Sequence, residues 1–395
     1  MIVSLLALLM AAQQNAAPTA WITETLHSKT LGDRTIYVAL PDEYANPTSR
    51  FPVLICLDGN DPPMLRLWIA QAAYVADNDR GVPPVIVVGI ANGSDRLHDM
   101  TPKPVGSSVA EFKTGGGADA FADFILNEVL PLVRRKYRTV PTTIITGHSA
   151  GGLFALYAAA THRGAFQGTI ATSPALWYND SLPAREFADS IAKSTAPQRI
   201  FAASGGVDEP EIDWTTQRFY HRLDSLRSST VAVGYQHYPD QTHTMTALAF
   251  SDGWRFVFDR LSARHLPLLT LPSSADSAAI AGALEAAQRT YAAAARELLM
   301  PEQLPEAMLN SFGYRLLGRG KIWWALRVFR QNVDWYPQSV NVYDSYADGL
   351  VAAGDTAKAI QFLRQAVEVG RRTGAPVAAE TREKLARFTA ARSHR

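Results

Sequence analysis

Thr142-Thr143-Ile144-Ile145-Thr146-Gly147-His148-Ser149-Ala150-Gly151-Gly152-Leu153-Phe154-Ala155-Leu156-Tyr157 is the stretch on which the fold turns. Its first five residues are all β-branched, the composition of a strand. Its last six form a compact apolar run at helical spacing. Between them stands Gly147-His148-Ser149-Ala150-Gly151, a Gly-x-Ser-x-Gly pattern. A serine on a sharp strand-to-helix turn takes a strained backbone, and glycines two residues to either side let the chain pass without a clash. The helix that follows then directs its free N-terminal amides at a developing negative charge. The pattern alone is weak. A strand directly before it and a helix directly after it are the context that makes it a nucleophile site.

Working outward, short β-like runs alternate with longer helical ones from Trp21 to about residue 263. Strands are expected at 35–40, 51–57, 85–90, 142–146, 199–203 and 232–238, and helices at 119–135, 152–161 and 214–226. Strands apolar on both faces suit a parallel sheet covered by helices, which makes the fold class α/β with a mostly parallel central sheet. After Arg264 the character changes to a proline-bearing connection and an alanine-rich helix. A repeat follows, in which Leu316-Leu317-Gly318-Arg319-Gly320 and Leu350-Val351-Ala352-Ala353-Gly354 stand 34 residues apart. The same offset relates Ala325 to Ala359, Phe329 to Leu363 and Gln331 to Gln365. This period resembles tetratricopeptide repeats, so the C-terminal region is expected to be all-α and to serve as a packing appendage, a self-association surface or a partner-binding surface. The expected domains are a signal peptide over 1–20, a catalytic domain over 21–264, a helical linker over 265–300 and helical repeats over 301–390.

Bulk composition narrows the function. The chain has 395 residues, 47% hydrophobic and 19% charged, with a formal net charge of +1. Near-neutral charge leaves no electrostatic footprint for nucleic acid. The single cysteine, Cys56, permits no intrachain disulfide and no cysteine-rich metal cluster, and no metal or organic cofactor is expected. The apolar run Ile2–Ala12 is too short to span a bilayer. It reads as the core of a signal peptide although no Lys or Arg precedes it, giving a periplasmic or secreted location and no membrane-spanning segment.

A serine nucleophile on this turn takes an acid and then a histidine later in the chain. Of the nine histidines, His221, His237, His243, His265 and His394 follow Ser149. His243 is the first choice for the base because it follows the turn Tyr238-Pro239-Asp240-Gln241 and precedes an apolar helix. His237, within a strand, is the alternative. The acid is sought after the run Ile200–Ala203, in Ser204-Gly205-Gly206-Val207-Asp208-Glu209-Pro210-Glu211. Asp208 is preferred, with Glu209 as rival. An oxyanion site requires the amide after the nucleophile, Ala150, and one from the loop Leu57-Asp58-Gly59-Asn60, where the Asn60 amide is expected to donate.

These residues, with Leu31-Gly32-Asp33-Arg34, Pro52–Asn60, Arg96–Pro102, Gly117–Phe121, Ser173-Pro174-Ala175-Leu176-Trp177-Tyr178 and Pro239–His243, resemble the esterase D-like family. That family includes enterochelin and feruloyl esterases and the mycolyltransferase antigens. The resemblance covers roughly residues 22–262, and the repeat tail lies outside the family pattern. It implies the α/β-hydrolase fold and a triad of Ser149, an acid near Asp208 and His243. It implies oxyanion donation from Asn60 and Ala150, and Arg96, Asp99 and Trp177 bordering a small-molecule ester. Many relatives carry glutamate where Asp208 stands, which keeps Glu209 open. The expected reaction is carboxylic-ester hydrolysis through an acyl-enzyme, on siderophore or aryl-acid esters. Acyl transfer by the same residues is the alternative, and a lapsed hydrolase acting as a scaffold is a third reading.

Overall fold

The computed structural model describes residues 21–79 and 81–393. The expected signal peptide lies outside the described residues. Eight strands form one sheet: β1 Ile22–Ser28, β2 Gly32–Ala39, β3 Phe51–Cys56, β4 Ile86–Ile90, β5 Thr139–His148, β6 Gly168–Thr172, β7 Gln198–Gly205 and β8 Val231–Tyr238. Their order is β1-β2-β4-β3-β5-β6-β7-β8. β1 pairs antiparallel with β2, and β2 with β4; every later pairing is parallel. Strand β5, which leads into Ser149, therefore lies in the middle of the sheet, buried on both faces.

Alternation along the strands sorts the core into two layers. Leu54, Cys56, Ile144, Ile170 and Phe201 face one side, against α1 (Pro62–Asn78) and later helices. Val53, Ile55, Ile145, Ala171 and Ala202 face the other, against the helices that follow β4, β5 and β7. On that second side the helix expected at 119–135 runs from Ala118 to Lys136, interrupted by a π-helical stretch at Ile125–Val129. The helix after β5, α2 (Ala150–Thr161), is buried at every position from Ala150 to Ala160. A helix apolar on all sides is stable only when covered all round. Burying Leu153, Phe154 and Leu156 contributes on the order of 1.5–3 kcal/mol each. That packing holds the turn preceding the helix rigid.

Three further helices frame the catalytic edge or the tail: α3 (Pro210–Ser225), α4 (Thr246–Phe258) and α5 (Ser277–Glu297). Helices α6 (Glu306–Gly318), α7 (Ile322–Trp335), α8 (Val340–Ala352) and α9 (Thr356–Thr373) follow as two successive hairpins. Gly313 and Gly349 sit against the Phe329 ring, where an added Cβ would come within 2.4 and 3.0 Å of it. The span expected as a linker is ordered and core-forming. Ile280, Ala287 and Tyr291 of α5, with Leu309 and Phe329 beyond it, belong to the same apolar cluster as Leu54 and Trp68. The Thr142 hydroxyl donates to the Leu298 carbonyl at 2.6 Å across this junction. Among the described residues, no helix is long and apolar enough to cross a membrane.

Candidate active site

Ser149 stands between β5 and α2 at φ 58° and ψ −119°, a backbone conformation that L-residues rarely adopt. Its neighbours hold it there. The Ser149 amide donates to the Thr172 carbonyl at 3.0 Å, and the Ser149 carbonyl accepts from Leu153 at 3.0 Å and Ala175 at 3.1 Å. A Cβ on Gly147 would come within 2.3 Å of the Gly151 carbonyl oxygen, so a side chain at 147 would force the turn open. Strain of this kind costs roughly 1–3 kcal/mol and persists only where the surroundings over-determine it.

The loops carrying Asp208 and His243 are laced together at the ends of β7 and β8. Gly206 donates to the Tyr238 carbonyl at 2.8 Å and Val207 to the Gln241 carbonyl at 3.0 Å. Their approach requires small residues: a Cβ on Gly205 would lie 2.3 Å from the Gln241 oxygen, and one on Gly206 2.5 Å from the Pro239 oxygen. The lacing brings Asp208 to His243. The imidazole Nδ1 lies 3.0 and 3.2 Å from the two carboxylate oxygens. The Asp208 side chain is 1% exposed, that of His243 38%. Ser173 donates its hydroxyl to the same carboxylate at 2.7 Å, and the Glu209 amide does so at 2.8 Å. A buried carboxylate fixed by these donors orients the ring, leaving Nε2 as its outward atom. Among the described residues the Ser149 hydroxyl makes no hydrogen bond. Catalytic contacts commonly tighten only around a bound substrate.

The rival residues are placed elsewhere. Glu209 is exposed and precedes the first turn of α3, contributing only its amide to the Asp208 carboxylate. His237 pairs with Asp213 at 3.1 Å, in a separate cluster where the Ser204 hydroxyl meets Asp213 at 2.6 Å and Tyr235 at 2.7 Å.

The loop expected to supply an oxyanion donor turns at Asp58, which has φ 58°. Gly59 passes so close to β4 that a Cβ there would meet the Gly89 carbonyl carbon at 2.5 Å. The amides of Asn60 and Ala150 donate to no other described group. Arg96 secures this loop: its Nε and Nη2 donate to the two Asp58 oxygens at 2.5 and 2.9 Å, and Nη2 also to the His148 carbonyl at 3.2 Å. The Arg96 guanidinium thereby ties this loop to the end of β5 while its side chain stays 36% exposed. Asp99 is also held by the protein. It is 1% exposed and accepts from Arg34 at 2.9 Å and from the Gly93 amide at 2.7 Å. Trp177 is half-buried against Phe112, ring centroids 5.7 Å apart. Asn179, Asp180 and Ser181 follow it in the left-handed region and clip the segment around residues 103–108 through Asn179 to the Val105 amide and Asp180 to the Ser107 hydroxyl.

Two contributors escaped the sequence reading. One is Ser173, whose backbone is itself left-handed at φ 43°. The other is His148, the residue before Ser149. Its Nε2 lies 2.8 Å from the His243 carbonyl oxygen. Burial, then the neighbouring His243, pulls its pKa down to about 4.

The family model described as "Putative esterase" matches residues 28–251. The chain belongs to that esterase family, and it is an ester hydrolase. Over 216 residues it is 26% identical to the ferri-bacillibactin esterase BesA of Bacillus subtilis, covering 50% of this chain and 75% of the relative. Over 139 residues it is 33% identical to a siderophore triacetylfusarinine C esterase of Aspergillus fumigatus, covering 32% of this chain but only 45% of that protein. Among solved structures, an uncharacterised protein of Capnocytophaga ochracea superposes with a TM-score of 0.59 at 16% identity, covering 94% of this chain and 99% of that one. The esterase fold thus recurs together with a helical tail.

Proposed function

We propose that this esterase hydrolyses carboxylic esters through an acyl-enzyme, with Ser149 as nucleophile, His243 as general base, Asp208 as orienting acid, and the Asn60 and Ala150 amides as oxyanion donors. The observation that carries the reading is the buried Asp208 carboxylate 3.0 Å from His243 Nδ1, at the same end of the sheet as the strained Ser149 turn. In the proposed sequence the Ser149 oxygen attacks the ester carbonyl carbon while His243 Nε2 takes the hydroxyl proton. Charge collects on the carbonyl oxygen, facing the two amides. The C–O bond then breaks and the alcohol leaves with the proton from His243. Water repeats the steps and releases the acid, regenerating the serine.

The substrates proposed are siderophore-type or aryl-acid esters. The names of the relatives support the first. The partly exposed rings of Phe112 and Trp177, with Tyr178 buried against Phe112, suit a planar acyl group. The tail over 301–390 is proposed as a tetratricopeptide-like appendage to a catalytic unit spanning 21–264, and the location as periplasmic or secreted. The test is an ester panel spanning siderophore lactones, aryl-acid esters and sugar esters, run with and without an added alcohol acceptor. Wild type should turn over at least one siderophore or aryl-acid ester to free acid, and Ser149→Ala none. Retained turnover in Ser149→Ala sinks the assignment, and an acyl-acceptor product as the main species would favour transfer over hydrolysis.

A further inference from the structure

His148 ends β5 at the point where three loops meet. Its backbone carbonyl accepts from Arg96, which grips Asp58 in the loop carrying the Asn60 amide. Its ring nitrogen Nε2 lies 2.8 Å from the backbone carbonyl oxygen of His243. A carbonyl oxygen only accepts, so the hydrogen resides on Nε2 and His148 is the donor. The two imidazoles lie 4.3 Å apart, inclined at 59°. Among the described residues the backbone of His243 makes no other hydrogen bond; the neighbouring ties run from Met245 to Thr242 and from Val207 to Gln241. The backbone of the base is therefore anchored directly at one atom, and a histidine side chain supplies the anchor.

We infer that His148 is a positioning residue for ester hydrolysis: its Nε2–H fixes the backbone of residue 243 so that the imidazole, held at one end by Asp208, keeps its other nitrogen aimed at Ser149. This inference rests on the triad reading above. The link acts on the placement of the base, not on substrate, and a misplacement of about 1 Å at a reacting group costs on the order of 100-fold in rate. A glutamine amide extends to nearly the same point as the imidazole Nε2 and can donate there. Leucine fills similar space and donates nothing, and asparagine is too short to reach.

The experiment compares wild type, His148→Leu, His148→Gln and Ser149→Ala on one aryl ester. Rates of wild type and the His148 variants are normalised to the fraction of protein labelled by a fluorophosphonate at saturation, and Ser149→Ala is compared at equal protein concentration. His148→Leu is expected to lower kcat by about 10- to 100-fold with KM within about twofold, and His148→Gln to recover to within about threefold of wild type. Should the leucine variant fail to fold, His148→Asn supplies the donor-less comparison. Wild-type kcat in the leucine or asparagine variant overturns the inference, as does a glutamine variant no better than they are at equal labelled fraction. Failure of Ser149→Ala to lose activity would instead overturn the triad reading itself, so the two failures are separable.

Discussion

At the scale of single residues, the site depends on backbone conformations and burial that favour function over local comfort. Ser149 occupies a region open mainly to glycine. Ser149→Gly should therefore be inactive yet more stable by about 1 kcal/mol, read as a higher midpoint in chemical denaturation. Asp208 and Glu209 are neighbours, but only Asp208 is buried against the imidazole. Asp208→Asn is predicted to lower kcat by about 10³- to 10⁴-fold, while Glu209→Gln stays within about twofold of wild type, measured on a single aryl ester. His148 has its pKa depressed from 6.5 to about 4 by burial. Below pH 6.5 the unfolded chain takes up a proton that the folded chain does not, so stability falls as pH drops from 6.5 towards 4 and the slope vanishes below that. Denaturation midpoints for wild type and His148→Gln across that window should differ by a slope of about one proton.

At the scale of elements, most of what positions the site was legible in the sequence. The apolar runs of β2, β3, β4, β5, β7 and β8 and the helix after Ser149 follow from composition and periodicity. Two strands escaped. β6, Gly168-Thr169-Ile170-Ala171-Thr172, holds one large apolar residue, yet it is fully buried because neighbouring layers close over it, and a Cβ on Gly168 would meet Val257 at 2.7 Å. β1 is an exposed edge strand recruited by pairing with β2 rather than by its own hydrophobicity. The burial that sets Asp208 apart from Glu209 and the ion pairs of Arg96 and Asp99, with partners 38 and 65 residues away, are carried by no local pattern. The lacing of the β7 and β8 loops was equally hidden, although its glycines stood in plain view. Gly205→Ala should push Gln241 away, lower stability by about 1–3 kcal/mol and reduce kcat far more than it changes KM, as denaturation and steady-state kinetics on the purified variant would register.

At the scale of the whole molecule, the helices α5 to α7 are built into the core, while α8 and α9 pack in clusters of their own. Tyr291, Leu309 and Phe329 share one apolar cluster with the sheet residues Leu54 and Ile144. Removing a large ring from such a cluster costs roughly 3–5 kcal/mol. Phe329→Ala should therefore lower the temperature at which the catalytic region loses ester hydrolysis, with calorimetry showing one transition; an early tail transition at unchanged thermal inactivation would mean that the two regions unfold separately. The same packing holds the carboxyl ends of β5, β7 and β8 side by side, and the proposal is that residues as far apart as 149, 208 and 243 act there as one reacting group. The most direct measurement of that claim is peptide mapping by mass spectrometry after reaction with a fluorophosphonate. A single adduct on Ser149, lost in His243→Ala, is the predicted result. An adduct on another residue, or full labelling of Ser149 in the absence of the His243 imidazole, would contradict it.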